Sequence, residues 1–299
     1  MKIPHLVQYQ GSKRNLAPVI LQSFPARVKR LIEPFAGTAA ISIACATKNI
    51  AEKFIINDIN YPLIKLLEIV VNQPEEISNF YAKIWREQFD NSLEHYYQIR
   101  EKFNRTSEPR LFLYLLARCI KGSVRYNSEG LFNQSPDKRR KGTRPETMRK
   151  NIFHISYLLK GKTTFKSVDY KKILALAKEG DLIYMDPPYQ GVCGDRDSRY
   201  CSGINFDEFV NELEKLNEGG IDFIISYDGS CGDKSYGKKL PDFLNLKHVK
   251  IVAGRSTQAT LLGKKDITIE SLYISDSLVI KVQTKVNAYK QHEYQLSMF

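Results

Sequence analysis

The hydrophobic pattern changes character twice along the chain. It opens with short apolar runs bounded by turn residues: Leu31-Ile32-Glu33 runs into a glycine turn, and Phe54-Ile55-Ile56-Asn57-Asp58 ends on an acid. Runs of that kind are the mark of strands buried on both faces. Between them the Ile/Ala-rich stretch Ile41 to Ala46 has helical spacing, so strand, turn, helix and strand make a βαβ unit. An amphipathic helix is predicted from Tyr61 to Asn72, and from Pro74 onward strand signals vanish. Apolar spacing there predicts helices over Glu75 to Phe89, Leu93 to Phe103 and Arg110 to Cys119. Strand patterns return after Lys160, at Thr163 to Tyr170, Asp181 to Met185, Phe223 to Tyr227 and Leu246 to Val252. A closing pair is expected at Ser271 to Ile274 and Leu278 to Val282, with a helix over Phe206 to Leu216. The expectation is an α/β sheet interrupted by a mainly helical insertion.

Composition adds the kind of partner. With 299 residues, 42% hydrophobic and 26% charged, the chain can bury a substantial core. No leader-like or long apolar stretch is visible, so a cytoplasmic protein with no membrane role is expected. Five scattered cysteines without a Cys-x-x-Cys pair read as free thiols rather than metal ligands or disulfides. The net charge of +12 is unevenly placed: Arg100 to Lys162 holds 16 Lys/Arg against 5 Asp/Glu, a surplus of 11. A surplus spread over a whole segment suits a polyanion such as nucleic acid. Within it lie the basic loop Lys138-Arg139-Arg140-Lys141 to Arg144 and a Gly/Asn-rich loop bearing Arg125, Tyr126 and Asn127. Arginine suits guanine and asparagine suits adenine in a groove.

The candidate chemistry sits at the end of the apolar run Asp181 to Met185, in Asp186-Pro187-Pro188-Tyr189. Open α/β sheets bind ligands beyond the C-terminal ends of their strands. Two prolines stiffen the backbone there and hold a carboxylate and a ring close together. That arrangement suits a planar base with an exocyclic amine, whose conjugated lone pair is a poor nucleophile until acceptors hold its protons. Asp186 supplies one acceptor, the Pro187 carbonyl another, and Tyr189 a stacking face. The tetrapeptide matches the signature of methyltransferases acting on adenine N6 or cytosine N4. Asp58, 21 residues after Gly37, suits a ribose diol. The turn Gly37-Thr38-Ala39 lacks the Gly-x-Gly-x-x-Gly pattern, which points away from a dinucleotide and towards S-adenosylmethionine. Near the start, Tyr9, Gly11 and Lys13 precede a helix and suit a pocket edge, with Tyr9 on a ring and Lys13 near a carboxylate. Gly191 to Gly203 reads as a lid.

Taken together these elements resemble the Dam-like, α-group DNA adenine-N6 methyltransferases of class D12. The likeness rests on Tyr9 to Leu16, Glu33-Pro34-Phe35-Ala36-Gly37, Asn57-Asp58-Ile59-Asn60, Arg125-Tyr126-Asn127 with Gly130, Phe132 and Asn133, Asp186 to Tyr189, Arg255-Ser256 and Glu270-Ser271-Leu272-Tyr273. Their order, cofactor elements first, recognition insertion in the middle and Asp-Pro-Pro-Tyr after it, is the α-group order. The resemblance implies a Rossmann-like methyltransferase sheet with helices on both faces, split into residues 1–66 and 161–299 around a DNA-recognition insertion at 67–160. It implies that Tyr9, Gly11, Lys13, Glu33, Pro34, Phe35, Ala36, Gly37, Asp58, Ile59, Phe165, Asp169 and Asp186 bind S-adenosylmethionine. Arg125, Tyr126, Asn127, Lys138, Arg139, Arg140, Lys141, Arg144, Arg255 and Ser256 would then meet double-stranded DNA, with no metal needed. It leaves room for a cognate restriction endonuclease as partner and for a prokaryotic or phage-like, nucleoid-associated setting. The chain departs from the family in having Ala39 where a second glycine is common, which is tolerable at negative φ. RNA adenine-N6 transfer, DNA cytosine-N4 transfer and a catalytically silent DNA-binding relative remain alternatives.

Overall fold

The computed structural model describes residues 3–188, 204–231, 234–236, 238–255 and 267–281. After a short helix α1 (Ala17–Ile20) the chain runs β1 (Val28–Glu33), α2 (Ala40–Thr47), β2 (Ala51–Asn57) and α3 (Tyr61–Asn72). Helices α4 (Pro74–Glu87), α5 (Ser92–Thr106), α6 (Pro109–Arg118) and α7 (Pro145–Leu159) follow without an intervening strand. Then come β3 (Thr163–Lys166), α8 (Tyr170–Leu174), β4 (Asp181–Met185), α9 (Phe206–Glu218), β5 (Asp222–Cys231), β6 (Lys234–Tyr236), β7 (Lys247–Arg255) and β8 (Ile267–Ile274).

The sheet has the order β3-β2-β1-β4-β5-β8-β7, with β6 paired to β5 off this path. From β3 to β5 every pairing is parallel, while β8 runs antiparallel to both β5 and β7. Alternate residues of the central strands enter two different cores. Leu31, Phe54, Ile56, Leu182, Tyr184 and Ile224 face one, whereas Ile32, Ile55, Ile183, Met185, Phe223 and Ile225 face the other. Both faces are covered, which is why these strands read as continuous apolar runs. The first core continues without a break into α2 to α7, and the second is closed by α8 and α9. From β1 the chain steps outward to β2 and β3, then returns to place β4 on the other side of β1. That reversal opens a crevice beyond the C-terminal ends of β1 and β4, where Glu33 and Asp186 emerge.

Besides the short unexpected strand β6, three segments differ from the sequence expectation. Helix α7 fills residues 145–159, a stretch for which no element is expected; Pro145 stands in its first turn, and Met148, Ile152, Ile155 and Leu159 form its buried stripe. Strand β3 ends at Lys166, because Asp169 accepts a hydrogen bond from the Lys171 amide and caps α8. Residues 276–281 are helical rather than a final strand. The Ser275 amide donates to the Phe223 carbonyl while the Ser275 carbonyl accepts from Leu278 and Val279, so the chain turns there; Leu278 is buried by the resulting coil. Both edges of β8 are taken, one by β5 and the other by β7. The expected lid at 191–203 lies outside the described residues. Among the described residues, no helix is long and apolar enough to cross a membrane.

Candidate active site

Asn57, buried at the end of β2, ties together the loops that build the crevice. Its side-chain amide donates to the Pro34 carbonyl (2.8 Å) and the Val168 carbonyl (3.0 Å), and its side-chain oxygen accepts from the Val168 amide (3.0 Å). Its backbone carbonyl accepts from Ala36 (2.8 Å). The ends of β1, β2 and β3 are thus joined through one side chain whose polar groups are all used.

The turn after β1 is tight. Gly37 has φ +50, and a Cβ on it would lie 3.4 Å from the Tyr9 ring, so the turn and the N-terminal segment close on one another. The Asp58 carboxylate accepts from the Gly37 amide and the Asn60 amide, each at 2.9 Å, and burial pushes its pKa up against those two bonds. Ala39 adopts φ +56, ψ +38, so the residue that replaces the family's second glycine sits in the left-handed region rather than at negative φ. It has no side chain with which to cap α2. Glu33, only 2% exposed, does so from the end of β1: its carboxylate accepts from the Ser42 amide (2.8 Å) and the Ser42 hydroxyl. Burial raises the Glu33 pKa to about 7, with the negative charge of Asp186 adding to the effect and the Ser42 bonds opposing it.

Asp186 follows β4 directly. Its Oδ1 lies 2.8 Å from the Lys13 ammonium, whose side chain is 8% exposed. Burial raises the Asp186 pKa while Lys13 pulls it down. A cavity of about 410 Å³ extends from this pair to Asp58. Its walls combine apolar surface with a few fixed polar groups, the usual make-up of a small-molecule site. Ile59 is 61% exposed and presents an apolar face to the cavity at the Asp58 end. Phe35 stands 5.1 Å from the Tyr170 ring, and both line the cavity. Among the described residues, no cluster of His, Cys, Asp and Glu is placed to hold a metal.

Of the residues expected at the cofactor, Tyr9, Gly11, Lys13, Glu33, Pro34, Phe35, Ala36, Gly37, Asp58, Ile59, Asp169 and Asp186 all line this cavity, as do Pro187 and Pro188. Phe165 packs against the core and is not among the lining residues. Tyr189 lies outside the described residues. Asn57, Val168, Tyr170 and Glu208 line the cavity without being expected there. For Asn57 a signal does exist in the sequence, a polar residue next to an acid at a strand end.

The expected DNA contacts divide by what their side chains already do. Tyr126 and Phe132 bridge the hairpin that carries the Arg125 loop, and the Tyr126 hydroxyl donates to Asn60 Oδ1 at 3.3 Å. Asn127 Oδ1 accepts from the Glu129 and Leu131 amides and shapes the hairpin turn. Arg125 is exposed, and so are Lys138, Arg139, Arg140, Lys141 and Arg144. The basic loop is held from beneath by its carbonyls: Tyr81 donates to Thr143 (2.6 Å), Gln88 to Lys141 (3.1 Å), and buried Arg118 to Asp137 (2.8 Å) and Arg140. Of its basic side chains, Lys141 lies over the Phe89 ring (4.5 Å) and Arg140 stands 3.8 Å from the Asp137 carboxylate, and all stay exposed. Arg255 ends β7, and Ser256 lies outside the described residues.

Residues 9–253 match the family model of the D12 class N6 adenine-specific DNA methyltransferases. The chain is 31% identical over 187 residues to a DNA adenine methylase of Serratia marcescens, covering 61% of this chain and 66% of that protein. It is 31% identical over 190 residues to the DNA adenine methylase of Escherichia coli strain K12, covering 61% and 64%. Against the type II methyltransferase M.MjaIII of Methanocaldococcus jannaschii it is 25% identical over 299 residues, covering 92% of this chain and all of that protein. The chain thus spans just under two thirds of the length of the first two relatives. The family match takes in the glycine turn, the hairpin, the basic loop and Asp186 together, and the chain belongs to the D12 class of N6 adenine-specific DNA methyltransferases.

Proposed function

We propose that the protein transfers a methyl group from S-adenosylmethionine to N6 of an adenine flipped out of duplex DNA. One observation carries this reading: Asp186 and the Gly37 turn, 149 positions apart in sequence, open onto the same cavity. The residues present fit the cofactor. Gly37 leaves a cradle that a Cβ would narrow against Tyr9, Asp58 offers acceptors to a diol, and Ile59 offers an apolar surface to a purine. When bound, S-adenosylmethionine supplies an electrophilic methyl on a sulfonium. Asp58 and Ile59 orient the nucleoside end, and the loop Pro34 to Gly37 excludes water from it. Asp186 accepts an N–H of the target amine and lets nitrogen become pyramidal towards the methyl. It acts as an orienting acceptor, since the amine loses its proton after nitrogen has become cationic. Residues 67–160 recognise the target, with Arg125 at the groove and the tethered basic loop on phosphates. In this division α3 spans the boundary at 66/67 and shares the core of the sheet. The type II name of the M.MjaIII relative supports a paired endonuclease as one setting for the activity.

Incubation of the purified full chain with radiolabelled S-adenosylmethionine and unmethylated genomic DNA, followed by nuclease digestion and chromatography, tests the proposal. N6-methyladenine is the expected product. Asp186→Ala is expected to lower turnover by at least about 100-fold while cofactor and DNA still bind. Label recovered in N4-methylcytosine or only in RNA, or near-normal turnover by the variant, refutes it.

A further inference from the structure

Asp186 does not have the Lys13 ammonium to itself. Glu270 of β8 brings its Oε2 to 3.3 Å from the same Nζ, against 2.8 Å for Asp186 Oδ1. Glu270 stands opposite Gly229 of β5 and Ile251 of β7. Two features of β5 aim it. An extra residue bulges β5 between Ser226 and Gly229, with Asp228 at φ +55, and bulges redirect the side chains beside them. At Gly229 the strands come so close that a Cβ would lie 2.7 Å from the Ile269 carbonyl oxygen. Leu272, two residues on and therefore on the same side of the strand, is buried in the first core, so Glu270 faces the side from which Lys13 arrives.

An ammonium has three protons to donate and can be shared between two carboxylates. While the positive ammonium holds Asp186 Oδ1 it draws charge from that oxygen, so the lone-pair direction left open is a weaker acceptor for an incoming amine. We propose that Glu270 is a positioning residue that takes over the Lys13 ammonium when the target amine enters, leaving Asp186 Oδ1 to accept the amine's N–H. The proposal rests on the role given above to Asp186. The charged and titratable groups facing Asp186 are Lys13 from the N-terminal segment, Glu33 from the end of β1, Tyr184 from β4 and Glu270 from β8. Without Glu270 the carboxylate that already stands 3.3 Å from the ammonium is gone.

The test is single-turnover methylation by the full chain at saturating cofactor and DNA. Glu270→Gln keeps the size of the side chain but lacks the charge that draws the ammonium away. Its rate falls about ten-fold, the scale of one charge-assisted hydrogen bond, with cofactor affinity and melting temperature unchanged. The acid limb of its rate–pH profile moves to lower pH, because a negative neighbour of Asp186 is gone; a purely structural defect leaves the limb in place. Glu270→Asp retains more activity than Glu270→Gln, and Lys13→Met with Glu270→Gln is no slower than Lys13→Met alone. A parental rate in Glu270→Gln, equal losses in the Asp and Gln variants, or losses that multiply in the double variant overturn the proposal. Normal turnover by Asp186→Ala in the same assay overturns instead the reading of the site on which it rests.

Discussion

Replacing Glu33 by glutamine stabilises the ligand-free protein at pH 8 and changes little at pH 4.5. Glutamine keeps an oxygen to accept from Ser42 and cap α2, but cannot ionise. The folded protein holds the Glu33 proton up to about 7, whereas the unfolded chain releases it near 4.5. Between those values the folded state binds the extra proton, so stability falls as pH rises through the window and is level above it. At about 1.4 kcal/mol per unit, the displacement amounts to about 3 kcal/mol of instability in the parent above pH 7. Urea midpoints of parent and variant from pH 4.5 to 8, with equal m-values, measure the difference. Asp58 and Asp186 are also displaced upward and tilt both curves the same way, so subtracting one protein from the other leaves Glu33 together with its coupling to Asp186. Parallel curves across the window would refute the argument, since they would mean that Glu33 is not desolvated in the folded state.

Other perturbations test the remaining parts of the site. Asn57→Ala strands two carbonyls and an amide beneath the crevice and costs roughly 3 kcal/mol or more by urea unfolding, with cofactor affinity, measured by equilibrium dialysis, falling as well. In Ala39→Gly, relief of about 1–2 kcal/mol of left-handed strain is offset by about 0.8 for the buried methyl and roughly 0.4–1 for the freer unfolded chain, so the urea midpoint corresponds to a change below about 1 kcal/mol. Alanine at Lys138, Arg139, Arg140 and Lys141 together makes log affinity less steep against log salt by roughly 0.9 for each phosphate that the loop no longer neutralises, read by fluorescence anisotropy on duplex DNA.

The central sheet was legible because its strands are buried on both faces, and that condition writes itself into sequence as the continuous apolar runs Leu31-Ile32 and Asp181 to Met185. Helix α7 is obscured although its stripe of Met148, Ile152, Ile155 and Leu159 is regular, because the dense charge on its N-terminal side merges the segment with the basic loop. The closing strand expected at 278–282 fails over its described residues 278–281 for a different reason. Leu278 to Val282 is apolar enough for a strand, but the edge it would have joined is already filled by β7, so tertiary pairing decides against local preference. Glu270 stands in the family-like stretch Glu270 to Tyr273, but nothing in that stretch signals its contact with Lys13. Its place beside Lys13 depends on a bulge in a neighbouring strand, and a bulge is a relation between two strands rather than a property of one.

The polar residues singled out in the sequence show why type and spacing alone leave a role open. Asp58, Asp169 and Asn127 each stand where a ligand contact was expected, and each is engaged with the backbone: Asp58 with Gly37 and Asn60, Asp169 with Lys171, Asn127 with Glu129 and Leu131. The consequences differ with chemistry. Each oxygen of a carboxylate has a second lone-pair direction, so Asp58 can hold the glycine turn and still accept from a diol; the backbone bonds then fix the carboxylate that does the accepting. The side-chain oxygen of Asn127 already takes two amides, which leaves its NH2 as the group able to reach a base, and that group is a donor. The reading of adenine by Asn127 requires donor and acceptor together. Its contribution in the present hairpin is therefore to shape the turn beside Arg125, and under the proposed function direct base recognition in this loop would fall to that arginine.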